Sequence, residues 1–159
     1  MKRRVVVTGI GALTPIGNNV NDTWKGILNH QCGIDLIQSF DTSNMKVKVA
    51  GELKNFEATE YLDKKDVRKM DKFIQYGLIA AKEAIKDSKL EIDSINHDRF
   101  GVVVSSGIGG LGSIEENHQR GLKKGFDRVS PYFIPMTIVN LAAGQIAIAF
   151  KAQGLATCP

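Results

Sequence analysis

Phe100-Gly101-Val102-Val103-Val104-Ser105-Ser106-Gly107-Ile108-Gly109-Gly110-Leu111-Gly112 decides the fold class. A continuous β-branched run suits a strand covered on both faces. The glycines that follow suit a loop at the strand's carboxyl end, and a charged helix over about 113–123 completes the unit. In open α/β sheets, ligands bind beyond the carboxyl ends of strands, so this loop is a candidate binding element as well as a turn.

Working outward, residues 4–8 form a second β-branched run, ending in Thr8-Gly9-Ile10-Gly11. Asn21-Asp22-Thr23 offers a helix start, with Trp24, Ile27 and Leu28 at helical spacing and Cys32-Gly33 as the stop. Lys46-Val47-Lys48-Val49-Ala50 alternates as an edge strand does, and residues 61–70 read as a charged, exposed helix. Residues 71–87 are the clearest helix, with Ile74, Leu78, Ala81 and Ile85 in one apolar stripe. Residues 137–150 read as one mostly apolar helix closed by Gly154. The alternation predicts an α/β layered fold with a largely parallel sheet. Two central strands are few for such a sheet, so the fold is expected to be unfinished.

The chain has 159 residues, which predicts a single domain over 1–159. Its formal charge of +4 does not argue for nucleic acid, although clustered positive charge suits an acidic macromolecular partner. Cys32 and Cys158 lie far apart with no metal-ligand spacing, so no disulfide scaffold is expected and a cytoplasmic setting follows. No stretch approaches the length of a membrane span, and Gly9 and Gly11 interrupt the only run that could open a signal peptide.

Gly9-Ile10-Gly11 after a strand invites a dinucleotide-binding reading, but Thr14-Pro15 stands where the third glycine belongs. A structural turn is the better reading. Lys64, Lys65, Arg68 and Lys69 are the densest basic cluster, and residues 65, 68 and 69 share one helix face. Asp63, Asp66 and Asp71 are interleaved, so a solvated face competes with a partner-binding one. His30, His97 and His118 have no companions at ligand or triad spacing and read as surface residues. Cys32 reads as buried filler at a helix end.

Four ordered motifs resemble the β-ketoacyl-acyl-carrier-protein synthases, most closely the bacterial type II elongating enzymes. They are residues 5–11 with Thr14-Pro15-Ile16-Gly17; Arg68-Lys69-Met70-Asp71-Lys72-Phe73 with Gln75-Tyr76; Ser105-Ser106-Gly107-Ile108-Gly109-Gly110; and residues 130–135 with Thr137-Ile138-Val139-Asn140. The resemblance implies a thiolase-like layered α/β fold, of which only part of the first half is present, with truncation near Gly154. It implies a homodimer in the full-length member, no cofactor or metal, and condensation of acyl- and malonyl-acyl-carrier protein by a Cys nucleophile, two His and a Lys. It matches Ile108 and Phe133 to the acyl pocket, the latter to the neighbouring subunit's. It matches Lys65, Arg68 and Lys69 to the carrier-protein patch.

Leu155-Ala156-Thr157-Cys158-Pro159 departs from the family's Thr-Ala-Cys-Thr/Ser context. Cys158 is either a remnant of the nucleophile or an accident of a changed reading frame. The His pair and Lys have no counterpart in these residues. This chain alone is therefore expected not to condense, and a non-catalytic relic or interaction module that binds carrier protein or a full-length subunit is the alternative.

Overall fold

The computed structural model describes residues 3–159. In chain order the elements are α1 (Val20–Leu28), β1 (Asp35–Leu36), β2 (Val49–Ala50), α2 (Lys64–Val67), α3 (Lys72–Ser88), β3 (Val102–Val103), α4 (Leu111–Lys124), α5 (Phe133–Thr137), α6 (Leu141–Ala149) and β4 (Ala156–Thr157). They divide into two compact units. One comprises residues 1–57 and 80–90, the other 58–79 and 91–159.

In the first unit the glycine turn sits directly on the backbone of α3. A Cβ on Gly11 would lie 1.9 Å from the Ala80 carbonyl oxygen, and one on Gly9 would lie 2.2 Å from that of Ala84. Only glycine permits this approach. Carboxylates from α3 then satisfy the backbone amides of the loop. Glu83 accepts from Ala12 N–H at 2.9 Å and from Val20 N–H at 3.0 Å, and Asp87 accepts from Ile10 N–H at 2.9 Å. Amides of this kind would cradle a phosphate in a dinucleotide site; here carboxylates occupy them.

Helix α1 starts at Asn19, whose side chain accepts from Asp22 N–H at 2.8 Å. It ends at Asn29, and His30 follows with φ +52°. The stop therefore falls before Cys32-Gly33. Cys32 lies past the left-handed turn and is exposed, not buried filler. β1 and β2 pair antiparallel, Asp35 with Ala50 and Leu36 with Val49, so only the last two residues of the expected edge strand are paired. Residues 4–8 form no ladder among the described residues, and Val5 is 91% exposed.

In the second unit β3 and β4 pair in parallel, Val102 with Ala156 and Val103 with Thr157. α6 packs on both strands. Its small residues Ala142, Ala143 and Ala147 are buried, as is Ile146, and Val102 is buried with them. Val103 is 63% exposed, so the run is covered on one face and not on both. Ile74, Leu78 and Ile79 from the first half of α3, with Ala58, Leu62 and Met70, complete the buried apolar set.

The expected helix over 137–150 is two helices. Thr137 gives its carbonyl to Gly110 N–H at 3.2 Å instead of to a residue further along, and Ile138 is extended. The expected helix over 61–70 shrinks to α2, preceded by a 3₁₀ turn at Ala58–Glu60.

Two glycine substitutions separate close approach from mere flexibility. Gly11→Ala is expected to cost about 3 kcal/mol or more, because backbone atoms block the new methyl. Gly112→Ala, on α4 with open space around it, is expected to gain about 0.5–1 kcal/mol. Urea unfolding midpoints check both.

Candidate functional site

Parallel pairing brings the carboxyl ends of β3 and β4 to the same edge. Val104 N–H donates to the Thr157 carbonyl at 3.2 Å, which sets Ser105 beside Cys158. Gly101 lacks a side chain where one would meet the Leu155 carbonyl at 2.8 Å, so the strands close tightly just before that edge. The half-buried Cys158 Sγ lies 3.6 Å from Ser105 Oγ, and Ser105 Oγ donates to the Pro159 carbonyl at 2.9 Å. The one thiol of this unit thus stands where the Gly-rich loop begins.

The loop is built from backbone. Ser106 Oγ accepts from Gly109 N–H at 3.1 Å. Gly109 has φ +84°, and a Cβ there would meet the Thr137 carbonyl at 2.5 Å. Ile108 is 68% exposed. Phe133 opens α5 and is half-buried, lining a cavity of about 580 Å³ with Ile114, Phe126 and Val129. His118 and Glu115 edge the same cavity, but Ile108 does not reach it. The cavity that Phe133 lines is therefore not shared by the other acyl-pocket candidate, Ile108.

Lys65 stands on α2, Arg68 caps it and Lys69 follows; all three are exposed. Lys69 Nζ is 3.9 Å from Asp66 and 5.9 Å from the centre of the Tyr132 ring. A four-residue helix needs outside support. The buried Gln75 side chain supplies it, donating to the carbonyls of Val67 at 3.1 Å and Met70 at 2.8 Å.

His30 and His118 are exposed, as expected, whereas His97 is half-buried. His97 Nδ1 is buried and has no hydrogen-bond partner among the described residues. The His97 carbonyl accepts from Gln153 N–H at 3.0 Å, tying this turn to the segment that leads into β4. Among the described residues no group of three His, Cys, Asp or Glu side chains could hold a metal ion, and no helix is long and apolar enough to cross a membrane.

Sequence reading missed the polar interior of α4. Ser113 and Asn117 are 7% and 3% exposed, on a helix that the sequence reading describes only as charged. Ser113, Asn117 and Gly121 recur every four residues, and that row of small or uncharged side chains was the available signal.

Residues 2–159 match the family model described as the β-ketoacyl synthase N-terminal domain. The 3-oxoacyl-[acyl-carrier-protein] synthase 2 of Vibrio cholerae is 52% identical over 147 residues, covering 92% of this chain and 36% of the relative. The protein of the same name from Staphylococcus aureus strain COL is 49% identical over 152 residues, covering 96% and 37%. The chain thus spans little more than a third of the length of these curated relatives. Among solved structures, the ishigamide ketosynthase/chain length factor superposes with TM-score 0.88 at 24% identity, over 99% of this chain and 40% of that one. A ketosynthase complex, AntDE:AntF, described as a type II PKS acyl-carrier protein with its ketosynthase bound to the hexaketide, gives TM-score 0.76 at 27% identity, over 97% and 42%. The fold is that of the thiolase-like ketosynthases.

The turn before β4 carries a pH prediction. Lys151 Nζ bonds Asp93 at 2.7 Å, and that bond, reinforced by the lysine's charge, holds the carboxyl below its usual 3.8. A lowered folded value means that the contact stabilises above pH 3.8 and is lost as pH falls through the folded value. An NMR titration is expected to place the Asp93 midpoint below 3.8, and Lys151→Ala to return it there.

Proposed function

The chain belongs to the β-ketoacyl synthase N-terminal-domain family, and from that membership we propose that it is part of a condensing acyltransferase of fatty-acid elongation. Acyl- and malonyl-acyl-carrier protein are the substrates. The observation that supports this most directly is the position of Cys158, at the shared carboxyl edge of β3 and β4 beside the Gly-rich loop. That edge is where α/β sheets take their ligands.

In this reading the Cys158 sulfur, as thiolate, attacks the acyl thioester carbonyl. A new C–S bond forms, the carrier's C–S bond breaks, and the carrier leaves as a thiol after taking up a proton. Malonyl-carrier protein then loses CO2. Its enolate carbon attacks the acyl-cysteine carbonyl, expelling the Cys158 thiolate and forming the β-ketoacyl product. Donors aimed at the enolate oxygen stabilise the developing charge. The His pair and Lys that the resemblance assigns to this step are not among these 159 residues.

Ile108 and Phe133 serve as acyl-pocket walls. Their exposure and half-exposure, and the apolar cavity at Phe133, support surfaces that a further part of the enzyme or a second subunit completes. A homodimer is the assembly this favours. The two free thiols support a cytoplasmic setting.

Lys65, Arg68 and Lys69 are the docking surface for acidic carrier protein. Their common exposure also suits a second reading, in which the chain binds carrier protein or a full-length subunit without chemistry. One set of measurements separates the readings. Incubation with acyl-carrier protein is expected to move the acyl group to Cys158, seen by peptide mass spectrometry. The label should vanish in Cys158→Ala and persist in Cys32→Ala. Carrier binding without any acyl-cysteine would favour the interaction module. These 159 residues alone are expected to release no β-ketoacyl product when malonyl-carrier protein is added. Lys65→Glu/Lys69→Glu is expected to weaken carrier binding at least about tenfold at low salt, with the difference shrinking as salt rises; equal affinity at all salt concentrations would remove the docking assignment.

A further inference from the structure

The polar side chains that α4 buries belong to a closed ring of contacts. Ser113 Oγ donates to Asp71 Oδ2 at 2.6 Å. One turn on, Asn117 Nδ2 donates to the Ser113 carbonyl at 2.8 Å, and Asn117 Oδ1 accepts from Ser130 N–H at 2.9 Å. Ser130 Oγ accepts from Tyr132 N–H at 3.1 Å. The Tyr132 ring faces Lys69 Nζ at 5.9 Å, and Lys69 is two residues from Asp71. The ring begins and ends on the segment that carries the basic cluster.

Asp71 does more than cap α3. Its Oδ1 accepts from Phe73 N–H at 3.2 Å, and this bond alone satisfies a helix start. Its Oδ2 reaches a residue 42 positions away. A hydroxyl donating to a carboxylate makes a charge-assisted bond, roughly twice as strong as a neutral one. That bond fixes the place where the Gly-rich loop becomes α4. A Cβ on Gly110 would lie 3.1 Å from Asp71 Oδ2 and 2.4 Å from the Met136 carbonyl. The loop therefore leaves through a slot between the Asp71 carboxylate and α5, with Ile108 two residues before it.

We propose that Asp71 is a positioning residue. Through Ser113 it sets the loop bearing Ile108 relative to the segment bearing Lys65, Arg68 and Lys69, so that the docking surface and the acyl wall take up their geometry together. This rests on the docking and acyl-pocket roles proposed above.

The test is backbone hydrogen exchange on the 159-residue chain. Ser113→Ala leaves Asp71 Oδ2 without its donor. Exchange is expected to quicken about tenfold, the scale of one lost bond to a charged group, in residues 106–112 and in residues 64–70. Residues 15–30 should be unchanged. Quickening in 106–112 alone, or in neither segment, overturns the proposal. Should Ser113→Ala raise exchange everywhere, Ser113→Cys, of similar size and a weaker donor, replaces it with the same two outcomes. Asp71→Ala, which also removes the acceptor for Phe73 N–H, is expected to quicken both segments at least as much as Ser113→Ala. Asp71→Asn keeps an oxygen for Phe73 and offers an amide to Ser113, so both segments should stay near their original rates; a purely electrostatic role would not be rescued this way and would overturn the positioning role. Adding acyl-carrier protein is expected to slow exchange in both segments of the unaltered chain but only in 64–70 of Ser113→Ala. If carrier protein slows neither segment in the unaltered chain, the docking assignment fails, while the comparison without carrier still decides the role of Asp71.

Discussion

Every buried or crowded backbone group must find a partner, and in this chain one helix meets much of that demand. Asp71, just before α3, and Gln75, Glu83 and Asp87 along it fall at multiples of four residues, and each bonds groups outside the helix. In the first unit Glu83 and Asp87 serve two loop amides and the first amide of α1. In the second, Gln75 supports the last carbonyls of the basic segment and Asp71 holds the start of α4. An unmet buried donor or acceptor costs about 1–3 kcal/mol, as much as a typical core substitution. The buried Gln75–Met70 contact therefore weighs as heavily as the apolar stripe beside it.

That stripe was legible and the polar row was not. Ile74 and Leu78 are buried as their spacing required, because helical periodicity is a local property that sequence displays directly. Nothing local announces that Glu83 will bond Ala12, 71 residues away, or that Asp71 will bond Ser113. The same limit explains the helix that split. Residues 137–150 carry a continuous helical pattern, yet the Thr137 carbonyl goes to Gly110 N–H, and a distant glycine loop decides where α5 stops. Strands suffer most. The run at 102–104 promised burial on two faces, but α6 covers only the face of Val102.

The glycine turn at residues 9–11 shows how a motif's chemistry depends on what already uses its amides. A glycine turn binds phosphate when its N–H groups point at open space. Here Gly9 and Gly11 admit a helix backbone, and carboxylates take the neighbouring N–H groups. Thr14-Pro15, in place of a third glycine, was the sequence's hint at this. By contrast, the docking role proposed for the basic cluster was not legible from charge alone. Lys65, Arg68 and Lys69 alternate with acids, as solvated helices do, and only resemblance distinguished them. Cys158 was equally ambiguous, because its neighbour Ser105 is brought to it by parallel pairing across more than fifty residues.

The two parts of the proposed site make opposite physical demands. A docking surface works through exposed charges that tolerate movement, since long side chains and screening blur the geometry. An acyl wall works through shape, where displacement by an ångström matters. Joining them by an apolar contact would leave the loop free to slide, because dispersion is weakly directional. A half-buried hydroxyl–carboxylate bond has a defined length and angle, and breaking it leaves the carboxylate without that donor. Ser113 and Asn117 therefore sit where a packing argument alone would place leucine. Filling those positions with apolar side chains would pack the interior equally well, but it would release the loop bearing Ile108 from the segment proposed to dock the carrier protein.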